Sequence, residues 1–170
     1  MRSNINARSN AEQVEAFTFL SLPKACTKKK DLSAGSRLHS DILKKGLLEK
    51  SRFLASTPIN MYAKCGLFTR ARQVLDTLPK RDVFSWTALI SGYADQGHGE
   101  EALDCLREML VEGVLPNNIT LVSSLKACGS IGAVDKGKEI HAEIIRKGLL
   151  KKDHTLGSAL VDMYVKCGLC

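Results

Sequence analysis

No apolar run in these 170 residues approaches the length that crosses a bilayer, so a membrane-spanning helix is not expected. Acidic residues are also short: 18 Asp and Glu stand against 25 Lys and Arg, a net charge of +7. No acid precedes Glu12, and residues 1–15 combine Arg2 and Arg8 with Ser and Asn, which has some organelle-transit character. The deficit is uneven. Residues 24–50 hold eight Lys or Arg against three acids, and residues 136–152 hold six against two. Recurrent basic patches favour a polyanionic partner; the alternative is an ordinary solvated face.

What the chain has in quantity is self-similarity. MYAKCGL at Met61–Leu67 returns as MYVKCGL at Met163–Leu169, an offset of 102 residues. Residues 16–68 laid on 118–170 are identical at 21 of 53 positions without a gap. A fixed period is the signature of a repeat array, not of one closed core.

Shorter units lie inside the period. In residues 83–117, Trp86, Leu89, Ile90, Tyr93 and Ala94 follow the spacing of one helix face. Gly97-His98-Gly99 breaks that helix, and Glu100 and Glu101 open a second one at its positive end. Ala102, Leu103, Leu106, Met109 and Leu110 form the second stripe, closed by Gly113 and Pro116. Residues 118–153 repeat this grammar: a helix through Leu121, Val122 and Leu125, a Gly129/Gly132 break, and a helix through Ile140, Ile144 and Ile145 ended by Gly148. Residues 16–51 match them. Residues 52–82 hold a shorter pair, with Met61 and Tyr62, then Val74, Leu75 and Leu78; residues 154–170 begin another short pair. Unit lengths of 36, 31 and 35 residues make up the 102-residue offset. The expected fold is all-α, an α-solenoid of stacked antiparallel helical hairpins, with residues 1–15 as a disordered extension. Its last hairpin is incomplete, which suggests a fragment or a truncated product.

Catalysis is not expected. His39 and His141 occupy equivalent places, His98 lies between two glycines, and His154 opens the last unit. Residues that recur once per repeat are spread along a rod and do not converge as a catalytic set must. Cys26, Cys65, Cys128 and Cys167 likewise recur at matching positions and are expected to be reduced thiols packed between helices. No metal and no cofactor is expected. Pro58 and Pro23 fall near first-helix starts, where Leu160 and Leu125 stand in the matching units. Proline well inside a helix costs about 3 kcal/mol and less within a first turn, so Pro58 is expected to interrupt the first helix while the repeat survives with an altered entry angle.

The phrases FSWTALISGYADQGHGEEALDCLREMLVEGVLPN, LVSSLKACGSIGAVDKGKEIHAEIIRKGL and INMYAKCGLFTRARQVLDTLPKRD resemble the pentatricopeptide repeat family, in its plant branch of alternating long, short and standard repeats. The resemblance covers residues 16–170. It implies a long repeat at 16–51, a short one at 52–82, a standard one at 83–117, a long one at 118–153 and half a short one at 154–170. It also implies single-stranded organellar RNA as partner, in the mitochondrion or alternatively the chloroplast, with one repeat reading one base. Such arrays look like site-specificity factors for cytidine-to-uridine editing. The chemistry there belongs to a zinc deaminase domain with an HxE…CxxC arrangement, which is not expected in this chain, or to a partner in trans; this chain is expected to be a targeting module, not an enzyme.

The family's readers are the fifth and last residues of each unit. Here they are Thr87 with Asn117, implying adenine; Ser56 with Asp82, implying guanine; and Ser158, implying a purine. The long repeats carry Leu20 with Ser51 and Val122 with Asp153, and a weak base preference follows from the apolar fifth residues. Without the resemblance, Ser56, Thr87 and Ser158 read as ordinary helix-start residues. Two other functions stay open: a protein-binding scaffold like tetratricopeptide repeats, and a truncated fragment with no function.

Overall fold

The computed structural model describes Ser40, residues 52–151 and residues 153–169. Pro23, Cys26, His39 and the reader positions Leu20 and Ser51 lie outside the described residues. The described residues form seven α-helices and one 3-10 turn, with no strand among them. They fall into two compact units, Met1–Leu78 and Pro79–Cys170.

In the first unit, α1 (Arg52–Lys64) folds back on α2 (Phe68–Thr77). Ile59, Met61, Tyr62 and Ala63 are buried with Ala71, Val74, Leu75 and Leu78. Helix α1 runs through Pro58 without a break, contrary to the expected interruption. The physical reason is the residues that follow: Ile59 and Tyr62 are at most 2% exposed, and their burial in the hairpin offsets the hydrogen bond that proline removes.

The second unit holds α3 (Val83–Asp95), α4 (Gly99–Val111), α5 (Asn118–Ile131), α6 (Val134–Arg146), the 3-10 turn Leu149–Lys151 and α7 (His154–Lys166). The first helices α3, α5 and α7 pack side by side as one layer. Helix α4 bridges α3 and α5 in a second layer, and α6 bridges α5 and α7. Trp86, Leu89, Ile90, Leu106, Met109, Leu125, Ile144 and Leu156 form the fully buried centre. Sequence periodicity misplaces the edges of two stripes. Leu110 and Ile145 are exposed, while Cys105 takes a place in the core.

Helix ends are built alike. Leu67, His98, Val114, Ala133 and Leu169 donate their N–H to the carbonyls of Tyr62, Tyr93, Met109, Cys128 and Tyr164, at 2.9–3.0 Å. Each closure passes through a glycine with positive φ, from 68° to 81°, at Gly66, Gly97, Gly113, Gly132 and Gly168. This left-handed closure satisfies carbonyls that a helix end leaves without partners. Gly129 plays another part. The Gly129/Gly132 break is only a Gly132 break, because α5 continues through buried Gly129. A Cβ there would meet Lys166 Cδ at 3.2 Å and Met163 Cα at 3.4 Å, so this glycine admits α7.

Start and finish of the 83–117 hairpin are also tied together. Trp86 Nε1 donates to Glu112 Oε2 at 3.1 Å, the Arg81 guanidinium pairs with the other Glu112 oxygen, and Arg81 lies 5.9 Å from the Trp86 ring centroid. A buried indole N–H needs such a partner.

One apolar face is open. Val161 and Val165 on α7 are 64% and 51% exposed, whereas Ile59 and Ala63, their counterparts 102 residues earlier, are fully buried in the α1/α2 hairpin. The double variant V161E/V165K is expected to reduce concentration-dependent association of the purified chain, read by light scattering. Its thermal midpoint should change little, since exposed substitutions are usually within about 0.5 kcal/mol.

Candidate functional site

The first-helix layer carries a line of polar contacts between α3 and α5. Thr87 Oγ1 meets Thr120 Oγ1 at 2.6 Å, Ser91 Oγ meets Ser123 Oγ at 2.7 Å, and Lys126 Nζ donates to Asp95 Oδ1 at 2.8 Å. Thr87, Thr120 and Ser123 are buried, so these hydroxyls satisfy one another in place of water. Thr87 also donates to the Val83 carbonyl at 2.5 Å. Its hydroxyl is therefore engaged on both sides.

The start of each first helix explains the last residue of the unit before it. Asn117 is the N-cap of α5. Its Oδ1 accepts from Thr120 N–H at 2.9 Å and lies 2.9 Å from Thr120 Oγ1, while Asn117 N–H donates to Thr120 Oγ1 at 3.3 Å. Because the Thr120 N–H is a donor, the group facing it must be the oxygen, which fixes the amide orientation. Asn117 Nδ2 has no partner among the described residues. Thr120 thus connects the two expected readers Thr87 and Asn117, a link of 33 residues that the sequence did not signal.

Asp82 caps α3 in the same way. Its Oδ1 accepts from Ser85 N–H at 2.9 Å and Ser85 Oγ–H at 3.0 Å, and Oδ2 has no partner among the described residues. Asp153 caps α7 differently. Its Oδ1 takes Thr155 N–H at 2.9 Å and the Thr155 hydroxyl, because the third helical residue is the apolar Leu156. Its Oδ2 takes Asn118 Nδ2–H at 2.8 Å. The Thr155 bonds, then that from Asn118, hold the Asp153 carboxyl below the usual range. Val122 is half-buried on α5, Ser56 is half-buried within α1, and Ser158 is exposed, donating to the His154 carbonyl at 3.3 Å. Two exposed apolar residues that sequence reasoning missed, Phe84 at 41% and Ile119 at 63%, stand three residues before Thr87 and Val122.

The basic cluster of residues 136–152 does not stand free. Lys136 pairs with Glu139, Lys138 with Asp135, and both Arg146 and Lys147 with Glu143, at 2.5–4.0 Å. All these residues except Lys147, which follows it, belong to α6 in the second layer. Hydrogen bonds from Arg146, then Lys147, push the Glu143 carboxyl down to about 2, so it stays ionised at neutral pH. Four of the cluster's six cations are thus partly countered, and the cluster keeps a net positive charge. The other basic cluster, residues 24–50, falls outside the described residues except for Ser40.

The thiols behave as packing groups. Cys105 and Cys128 are buried, Cys65 and Cys167 partly so, and none of the four is in a disulfide among the described residues. Burial, then the neighbouring Cys167, pushes the Cys128 thiol up to about 11. His141-Ala142-Glu143 and Cys167-Gly168-Leu169-Cys170 do spell HxE and CxxC, although no such arrangement was expected. His141 lies on α6 with Nδ1 2.9 Å from the Tyr164 hydroxyl and its ring edge-on to that tyrosine, and Glu143 holds Arg146 and Lys147. No group of three possible metal ligands occurs among the described residues; Cys170 is outside them.

The solenoid layers and capped starts have close counterparts. The model of the PPR repeat family matches residues 81–130. A chloroplastic pentatricopeptide repeat-containing protein of Arabidopsis thaliana is 41% identical over 152 residues, 89% of this chain and 24% of its own length. A mitochondrial one from the same plant is 36% identical over 165 residues, 97% of this chain and 16% of its own. Over most of its length the chain is similar to plant pentatricopeptide repeat proteins. The crystal structure of the pentatricopeptide repeat protein PPR10 from maize shares its fold, with a TM-score of 0.64 at 24% identity over 87% of this chain and 21% of that one. The chain spans about a quarter or less of these relatives' lengths.

Proposed function

We propose that this chain binds single-stranded RNA along its first-helix layer, one base per unit. The observation that carries this reading is the Asn117 side chain: one atom caps α5, and the other, a fixed N–H donor, is left for a base. Adenine N1 is an acceptor on the Watson–Crick edge and fits that donor. Thr87 is linked to Asn117 through Thr120, its own hydroxyl being occupied by Val83 and Thr120. Phe84 and Ile119 offer apolar surface to the faces of stacked bases. Asp82 presents an acceptor in place of the donor, which suits the ring N–H and amine of guanine, with Ser56 as its partner by sequence. Ser158 takes the same place in the 154–170 unit, with a purine preference.

The alternating long, short and standard units carry the proposal further. The chain acts in organellar RNA processing as a site-specificity factor, most specifically for cytidine-to-uridine editing, with a deaminase or other editing partner supplied in trans. The mitochondrion is its place of action, with the chloroplast as alternative, as its relatives divide between the two.

Asn117→Asp tests the reading directly. It keeps the capping oxygen and turns the free donor into an acceptor. Filter binding to RNAs differing at one base should show the preference move from adenine to guanine by roughly tenfold, about 1.4 kcal/mol. Equal binding of every RNA by both proteins would leave only a charged surface and sink the proposal.

One observation favours a second reading, a peptide-binding scaffold. A groove of about 230 Å³ opens among α4, α5 and α6, lined by Leu106, Leu110, Leu115, Leu121 and Ile140. Capture of an apolar peptide that RNA does not displace would support it.

A further inference from the structure

The three end-of-unit residues of the second unit do not stand alike, and the difference rests on one neighbour. Asn117 and Asp82 each cap with Oδ1 and leave their second atom without a partner among the described residues. Asp153 caps with Oδ1 as well, but its second oxygen is taken by Asn118. Asn118 is the first residue of the same unit that Asp153 ends. In the 83–117 unit that place is held by Val83, which has no polar side-chain atom to offer Asn117. A carboxylate oxygen already holding an N–H at 2.8 Å is a poorer acceptor for a base, and freeing it costs that charge-assisted bond.

We infer that Asn118 is a specificity-determining positioning residue: by occupying Asp153 Oδ2 it silences the 118–153 unit, whereas Val83 leaves the 83–117 unit free to read. This rests on the RNA-reading proposal above. The apolar Val122 makes the silence more complete, because the unit then has no other polar group at its fifth position. The first residue of a unit, far from the last in sequence, becomes the element that switches a reader on or off.

The test uses the full chain and RNA oligonucleotides with a central A followed by X, where X is each of the four bases. The wild-type chain should prefer A over C at the first place and be indifferent at X. The N118V variant places valine where Val83 stands and frees the Asp153 oxygen. It should bind X = G or U, which carry a ring N–H, roughly tenfold more tightly than X = A or C. D153S keeps a capping oxygen but has no second one, so N118V/D153S should be indifferent at X again. A merely structural role for Asn118 would change affinity for all four bases together and leave their ratio flat. A flat X profile in folded N118V, with the A preference intact, overturns the inference and leaves RNA reading standing. Loss of the A preference in the wild-type chain itself overturns both. If circular dichroism shows N118V unfolded, V83N asks the converse question: an asparagine there should blunt the A preference about tenfold, and an unchanged preference overturns the inference.

Discussion

Trp86→Ala is expected to unfold the 83–117 hairpin, at a cost of about 3–5 kcal/mol. Three losses act together. The indole is fully buried at the meeting of α3 and α4, so truncation leaves a cavity the helices cannot fill. The Glu112 carboxylate loses its indole donor, and the Arg81 guanidinium loses the ring beneath it. In an array where each hairpin leans on its neighbours, such a loss spreads to the α5/α6 hairpin. Far-ultraviolet circular dichroism with a denaturant series should show an earlier midpoint, since the chain's one tryptophan is the residue removed and fluorescence is lost. Trp86→Phe separates the causes. It keeps most of the buried ring and loses the bond to Glu112, so its cost should be well under half that of alanine. An alanine variant as stable as the parent would show that this hairpin is not held by its centre.

Gly99→Val should disrupt the seat of α4 on α5. A Cβ at Gly99 would lie 2.6 Å from Ile131 Cγ2, 2.7 Å from Ser130 Oγ and 2.9 Å from the Ala127 carbonyl oxygen. The two side chains can turn away, but the carbonyl is part of a helix and cannot. Even alanine should cost about 1–3 kcal/mol, and valine more. Gly97 supplies the control. It has φ of 81° and nothing within 4 Å of a built Cβ, so Gly97→Ala meets backbone strain alone, about 1–2 kcal/mol. Hydrogen exchange at the α5 amides should therefore speed up in G99V far more than in G97A. Equal acceleration would mean that close approach at Gly99 is not what fixes the layer spacing.

Most of the fold was legible because its causes are local. A period of apolar residues marks each helix, and a glycine with positive φ marks its end, as at Gly97 and Gly132. Gly129 escaped because sequence cannot tell a glycine that stops a helix from one that admits a neighbour. The same limit applies to Leu110 and Ile145, whose stripes extend past what the partner helix covers. Pro58 was read from its local cost, and the burial that outweighs it belongs to the hairpin. The candidate site divides likewise. Asn117 and Asp82 were singled out by their place in the repeat, and the structure shows both as helix caps. Thr120 and Asn118 were not, because each acts on a residue 33 or 35 positions away across the layer.

If Asn117 and Asp82 read bases as proposed, their double duty bears on how such an array could change its target. A residue there must first start a helix, and few side chains do that well: Asn, Asp, Ser and Thr. Of these, only Asn and Asp keep a second polar atom after capping. Drift to most other amino acids would weaken the fold before it tried out a new sequence. Retargeting is thereby confined to a small alphabet, one amide nitrogen against one carboxylate oxygen, interconverted by a single side-chain change that leaves the scaffold intact.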